Sequence, residues 1–355
     1  MTFRSFRRSL FGWGLFLLGC LSLSPNAFAA GAAEPVTVTL TAEEERLLRE
    51  LLVRIEDKDL AKRVGAANAI GGLANGRTVP PRGSVGKASP RTIAALAKGL
   101  QDPEASMRMA SAYALSHFLK HAKHAAPPLI RSLLRDKDAR VRCAAADALG
   151  QIGQHNHDLQ QAVDALTRAL GDRTAVCISA LRALAGFHAG AGSAVPRILT
   201  CASDPDPRIR DEAVRALGWI DPRAKECIDV FKKTLADDAT RRSAARGLGK
   251  SGAARECTPL LLEALRAELR VRNGGECMDI AYALGEAGLA SSEIVPALIG
   301  LLGHRSGSTR LSAANALGKI GADAKDAIPA LEKLAKDEIP GVAKEAEEAL
   351  SKIKG

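Results

Sequence analysis

Residues 136–153 read DKDARVRCAAADALGQIG, and this stretch decides the fold. Its apolar residues recur at steps of three and four, which is typical of an amphipathic helix with one narrow apolar stripe. Because alanine dominates that stripe, the helix is suited to close packing against another helix. Similar stretches return at residues 204–220 (DPDPRIRDEAVRALGWI) and 304–321 (HRSGSTRLSAANALGKIG). A sequence repeat of this kind predicts a solenoid, in which each unit packs on its neighbours.

The repeat has a period near 33 residues when it is anchored on the second alanine of its AxAL motif. Nine such anchors predict about nine helix pairs over residues 43–353. The first interval is the longest, and we interpret residues 77–90 within it as an insertion loop. The anchors are Ala69, Ala114, Ala148, Ala183, Ala216, Gly247, Ala283, Ala316 and Ala349.

Four repeats carry an Asp six residues before an Arg. This spacing places the Asp in the turn between two helices and the Arg in the first turn of the second helix, close enough to pair within a repeat or between repeats. Repeats 4 and 7 instead have Cys177 and Cys277 where the Arg is expected. The four predicted structural pairs are Asp57 with Arg63, Asp102 with Arg108, Asp136 with Arg142, and Asp204 with Arg210.

The repeat resembles HEAT repeats, specifically the short HEAT-like repeats of the phycobilisome lyase type. The resemblance lies in the Asp in the turn, the Val-Arg step, the AxxAL motif and the period. The resemblance covers residues 43–353. It implies an all-α, armadillo-like fold, a right-handed α-solenoid of HEAT-like helix pairs. The family name also implies a lyase acting on a bound chromophore as an alternative function, but the chain has no recognisable pigment-binding motif. GxSxG, P-loop and HExxH motifs are absent as well, so we expect no catalysis.

The first 29 residues are typical of a signal peptide, with a basic start, a short apolar run and an A-x-A motif that ends at Ala29. Residues 30–42 then form a linker. An LLGC motif that ends at Cys20 resembles a lipoprotein signal, which makes lipidation of Cys20 the alternative. We therefore expect an exported, periplasmic or secreted protein without a membrane span, and a lipid anchor if Cys20 is modified.

The residue before each anchor lies toward the exposed side of the second helix, which we expect to line the inner surface of the solenoid. In repeats 4 to 6 this residue is arginine, and we name Arg182, Arg215 and Arg246 the arginine row. Three arginines at one structural position can bind carboxylates or phosphates, although arginine is also an ordinary solvated helix former. The predicted partner-binding residues are Tyr113, Asp147, Arg182, Arg215, Trp219, Arg246 and Tyr282.

These residues predict a non-catalytic scaffold that binds a protein partner. We expect the partner to be acidic and the scaffold itself to be a monomer. The formal net charge is +10. Nucleic acid is not the expected partner, because aromatic residues make up 3% of the chain and 40 acidic residues are interspersed with the basic ones.

Histidines cluster near the ends of repeats 2 to 4, which suggests as an alternative that this edge binds a metal or a small cofactor. No carboxylate or cysteine pattern completes such a site, and we expect no cofactor. The candidate residues are His121, His124, His155 and His157.

Disulfides are possible in an oxidising compartment. Cys177 with Cys201 is the one pair that we consider for a disulfide. Cys227 and Cys257 hold equivalent positions in neighbouring repeats, so their Cα atoms should lie beyond the roughly 7 Å limit for bridging. We expect those two cysteines to be small buried apolar residues.

Overall fold

The computed structural model describes residues 42–74, 90–118, 122–271, 275 and 277–355. These residues belong to one compact unit, Thr39–Gly355. The expected signal peptide with Cys20, nearly all of the linker, residues 77–89 of the insertion loop, and His121 lie outside the described residues.

The described chain alternates first and second helices, and no strand occurs in these residues. The expected all-α solenoid is confirmed, whereas the number of repeats in the whole chain stays a prediction. The first helices are α1 (Ala42–Arg54), α3 (Pro90–Gly99), α5 (Ala122–Arg135), α7 (Gln160–Ala169), α9 (Val195–Cys201), α11 (Lys225–Thr234), α13 (Thr258–Arg270), α15 (Ile294–Leu301) and α17 (Ile328–Leu334). The second helices are α2 (Leu60–Ala74), α4 (Ala105–Leu115), α6 (Ala139–Gly153), α8 (Thr174–Gly186), α10 (Pro207–Ile220), α12 (Arg241–Ser251), α14 (Met278–Ala287), α16 (Gly307–Ile320) and α18 (Pro340–Lys354). Short 3-10 segments, His188–Ala194 and Gly321–Ala327, precede α9 and α17.

The helix boundaries follow from local sequence. Asp138 and Asp206 cap α6 and α10, because each carboxylate accepts a hydrogen bond from the backbone N–H two residues later, at 2.9 and 3.0 Å. At the other end, α12 and α14 are followed directly by Gly252 and Gly288, where φ is +81° and +58°. Glycine adopts this left-handed conformation without steric cost, so the chain can leave the helix there.

Adjacent second helices pack backbone against backbone through the residue that follows the AxAL motif. A Cβ added to Gly150 would lie 2.7 Å from Ala183 Cα, and one added to Gly285 would lie 2.7 Å from Ala316 Cα. Eight of the nine anchor residues are buried, and Ala69 is half-buried. The alanine-rich stripe therefore brings second helices into close contact, and we call their exposed side the second-helix face.

Arg–Asp ion pairs link one repeat to the next. The guanidinium of Arg108 donates to both carboxylate oxygens of Asp136, at 2.7 and 2.9 Å, and its remaining nitrogen donates to the backbone oxygens of Asp102 and Pro103, at 2.9 Å each. In each of the four sequence pairs, the Arg thus bonds its own Asp at the backbone oxygen and not at the carboxylate. Its ion pair is with the acidic residue of the following repeat. We call these contacts the Arg–Asp links. They are Arg63–Asp102, Arg108–Asp136, Arg142–Asp172, Arg210–Asp237 and Arg310–Asp337.

No helix among the described residues combines the length and the apolarity that a bilayer crossing requires.

Candidate functional site

The arginine row lies on the second-helix face. Arg182, Arg215 and Arg246 come from α8, α10 and α12, each one residue before its anchor. Their side chains are 58%, 38% and 38% exposed. The repeat therefore places three accessible guanidinium groups at equivalent positions on successive helices, as the sequence predicts.

Carboxylates of the same face already hold these three guanidinium groups. Arg182 Nε lies 3.1 Å from one oxygen of Glu212, and Arg215 bonds the other oxygen of that carboxylate. Arg246 Nη2 lies 2.5 Å from Asp279 Oδ1. The Glu212 side chain is only 6% exposed. One buried carboxylate thus serves two guanidinium groups, which leaves an excess of positive charge at the surface.

Sequence reasoning missed the acidic partners of the arginine row. Glu212 and Asp279 each lie four residues before the anchor of their own repeat, on the helix that follows Arg182 and Arg246 respectively, whereas Arg215 shares α10 with Glu212. The same relation joins Asn315 to Glu345, whose side-chain atoms are 2.7 Å apart. An acidic residue at this offset in the next repeat is the sequence signal that would have revealed the pairing.

Charged side chains on the second-helix face are exposed, but the surrounding protein removes part of their hydration. Desolvation lowers the pKa of Arg215, and the neighbouring guanidinium groups of Arg182 and Arg246 lower it further. Desolvation also raises the pKa of Asp147, whose exposed side chain precedes the arginine row in α6. Such shifts occur where charged groups lose part of their hydration, as on the wall of a groove. A charged partner would therefore meet partly desolvated arginines.

A line of contacting side chains runs along the ends of the second helices. The ring centroids of His157 and His188 are 5.6 Å apart, and those of His188 and Trp219 are 5.8 Å apart. Lys250 Nζ lies 2.9 Å from the centroid of the Trp219 ring, a cation–π contact. Burial lowers the pKa of Lys250 to about 8, with Arg246 contributing in the same direction. Trp219 is thus already covered on one face by a lysine.

The two predicted tyrosines lie on either side of the arginine row. Tyr113 in α4 packs edge-on against His117, with ring centroids 4.8 Å apart. Tyr282 in α14 has Lys319 Nζ at 5.2 Å from its ring centroid. The second-helix face therefore carries Asp147, the arginine row and Tyr282 on consecutive repeats. Tyr113 lies on the repeat before Asp147.

The histidine candidates that the structure describes are His124, His155 and His157, and all three are exposed. In the described ranges, no group of three or more His, Cys, Asp or Glu side chains is arranged to hold a metal ion. Metal or cofactor binding at this edge therefore stays an untested alternative.

Comparison with known proteins identifies the repeats. The model of HEAT repeats matches residues 93–185, 171–239 and 279–351, and the model of the PBS lyase HEAT-like repeat matches residues 240–267. No curated protein matches the chain.

Three solved structures are similar to the chain at low sequence identity. YibA of Escherichia coli is 20% identical, with a TM-score of 0.53 over 79% of this chain and 97% of that one. An engineered protein is 19% identical, with a TM-score of 0.47 over 87% of this chain and 99% of that one. The complex of CpcE and CpcF of phycocyanin lyase from Nostoc sp. PCC7120 is 21% identical, with a TM-score of 0.42 over 78% and 97% of the two chains. The matched repeats cover more than half of the residues, and the chain belongs to the HEAT-repeat family.

Proposed function

We propose that this protein is a non-catalytic scaffold of an exported compartment, and that it binds an acidic protein partner along its second-helix face. The observation that carries the proposal is the sharing of Glu212 by Arg182 and Arg215. The HEAT-repeat fold supports a scaffold, because a solenoid offers an extended surface whose side chains vary while its frame stays constant. The proposed export depends on residues 1–29 alone.

The arginine row retains donors for a partner. A guanidinium group has five N–H donors, and the hydrogen bonds of Arg182 and Arg215 to Glu212 each use one nitrogen. The side chains are at least one third exposed, so a partner's carboxylates can reach the remaining donors. The partly desolvated setting strengthens such contacts relative to contacts on a flat, fully hydrated surface. An acidic segment laid across α8, α10 and α12 satisfies these three groups together.

A fluorescently labelled polyglutamate peptide tests the proposal when its binding to the full chain is followed by anisotropy. Arg182→Gln should weaken binding about two- to fivefold, as expected for an exposed charge pair worth up to about 1 kcal/mol. Glu212→Gln should strengthen binding, because it releases both Arg182 and Arg215 from their internal carboxylate. Rising salt should weaken the complex.

Arg208→Gln is the matched control. It makes the same change in net charge at a side chain that is 72% exposed and pairs with Asp206 at the start of α10. Equal losses for Arg182→Gln and Arg208→Gln would show that only net charge matters, and no gain with Glu212→Gln would remove the arginine row from the proposed function.

A further inference from the structure

The interface between the fourth and fifth repeats lacks an Arg–Asp link. Arg142 joins the third repeat to the fourth through Asp172, and Arg210 joins the fifth to the sixth through Asp237. At the position of the missing arginine, α8 carries Cys177. The turn of the fifth repeat keeps its acidic residue, Asp204, which accepts a hydrogen bond from the backbone N–H of Asp206 at 2.8 Å.

A second cysteine lies at the same interface. Cys201 is the last residue of α9, whereas Cys177 lies in the first turn of α8, so the two thiols belong to adjacent repeats. Both residues are buried, with 2% and 6% exposure. Cys177 occupies the position from which the arginine of other repeats reaches the acidic residue of the next turn, and Cys201 lies three residues before that residue, Asp204. The two thiols, both free in the structure, therefore face the same interface, and they influence each other's pKa.

The seventh repeat provides an internal comparison. Cys277 replaces the arginine there as well, before α14 begins. The residue of the eighth repeat that corresponds to Cys201, at the end of α15, is Leu301. The loss of the arginine therefore does not by itself bring a second cysteine, and of these two interfaces only the one between the fourth and fifth repeats has a pair of thiols.

We propose that Cys177 and Cys201 form a disulfide that joins the fourth and fifth repeats in place of an Arg–Asp link. The oxidant is a disulfide of low molecular mass or a protein disulfide donor. The Cys201 thiolate attacks one sulfur of that donor, whose S–S bond breaks and releases one thiolate. Cys177 then loses its proton and attacks the Cys201 sulfur, and the second donor thiolate leaves. Two thiols of the protein are oxidised, and one donor disulfide is reduced to two thiols.

The surroundings favour Cys201 as the first nucleophile. The side-chain interaction with Cys177 lowers the pKa of Cys201 to about 7, and the Arg197 guanidinium acts in the same direction. The same interaction raises the pKa of Cys177, and burial raises it further. Thiolate is the reactive form, so Cys201 reacts with an external disulfide before Cys177 does.

Peptide mapping of the folded full chain tests the proposal. The protein is equilibrated with oxidised and reduced glutathione, then denatured in N-ethylmaleimide and digested with trypsin. Mass spectrometry without reduction should find the peptide of residues 174–182 linked to that of residues 198–208. Two thiols should be lost, with Cys143, Cys227, Cys257 and Cys277 alkylated in full.

Three results would overturn the proposal. Both peptides recovered only in alkylated form would show that no disulfide forms, and recovery of Cys201 only as its glutathione adduct would show that Cys177 cannot complete the exchange. Equal linkage of Cys227 with Cys257 would show that oxidation is not specific to this interface. All three readouts are made on the native sequence and are independent of peptide binding by the arginine row.

Discussion

Replacing Arg108 with methionine removes one Arg–Asp link while it keeps an unbranched side chain in the first turn of α4. The Arg108 and Asp136 side chains are each 7% exposed. The substitution therefore leaves the Asp136 carboxylate buried without its guanidinium, and it leaves the backbone oxygens of Asp102 and Pro103 without their donor.

Breaking a buried, hydrogen-bonded ion pair by removing one partner costs about 3–5 kcal/mol, because a charge then stays desolvated without compensation. We expect Arg108→Met to lower the free energy of unfolding by that amount. Adding Asp136→Asn should restore part of the loss, since it removes the uncompensated charge. Arg140→Met is the matched control, because Arg140 pairs with Asp138 at 2.6 Å but its side chain is 74% exposed. A solvated pair of this kind should contribute little to stability.

Urea unfolding followed by circular dichroism measures these differences. Hydrogen exchange of α4 and α6 then shows whether the loss is local to the interface, as expected where each repeat contacts only its neighbours. If Arg108→Met stays within about 1 kcal/mol of the native chain, or resembles Arg140→Met, the Arg–Asp links are not what holds adjacent repeats together.

Three further outcomes are expected. Gly150→Ala should destabilise the protein by about 1–3 kcal/mol in urea unfolding because of the contact with Ala183, whereas Gly65→Ala, which meets nothing within 4 Å, should stabilise it by up to about 1 kcal/mol. Trp219 fluorescence should titrate with a midpoint near pH 8 as Lys250 loses its proton, and Lys250→Met should abolish this change. The folded pKa of Lys250 lies below the usual 10.5, so the unfolded chain binds more protons than the folded chain between about pH 8 and 10.5. The free energy of unfolding should therefore rise over that range in the native chain and not in Lys250→Met. A disulfide between Cys177 and Cys201 closes a loop of about 25 residues, which lowers the entropy of the unfolded chain and should stabilise the protein by about 3 kcal/mol in urea unfolding. Equal stability of the oxidised and the reduced protein would contradict this expectation.

The repeat made the frame predictable from sequence. Small anchor residues at a period near 33 residues indicate which helices pack together, and the glycine after AxAL indicates how closely they approach. The six-residue spacing of Asp136 and Arg142 located both ends of the Arg–Asp links, but it left open whether they pair within a repeat. The structure answers this, because the guanidinium reaches past its own turn to Asp172, while its remaining nitrogen contacts only the backbone oxygen of Asp136.

The candidate site was predictable only in part. The equivalent positions of Arg182, Arg215 and Arg246 follow directly from the period. The ion pair of Arg182 did not, because Glu212 lies 30 residues from Arg182 and belongs to another repeat. The cation–π contact of Lys250 with Trp219 has the same origin, since it joins the ends of two separate helices. Contacts across repeats depend on the stagger between helices, which a single-repeat pattern does not contain.

Every Arg–Asp link runs from the arginine of one repeat to the acidic residue of the next, which gives the stack a chemical polarity. Cutting the chain between two linked repeats would leave a lone guanidinium on the N-terminal fragment and a lone carboxylate on the C-terminal fragment. The two cut surfaces are complementary to each other and not to themselves. Fragments of this solenoid should therefore reassociate in their native order, and two copies of the same cut surface should repel.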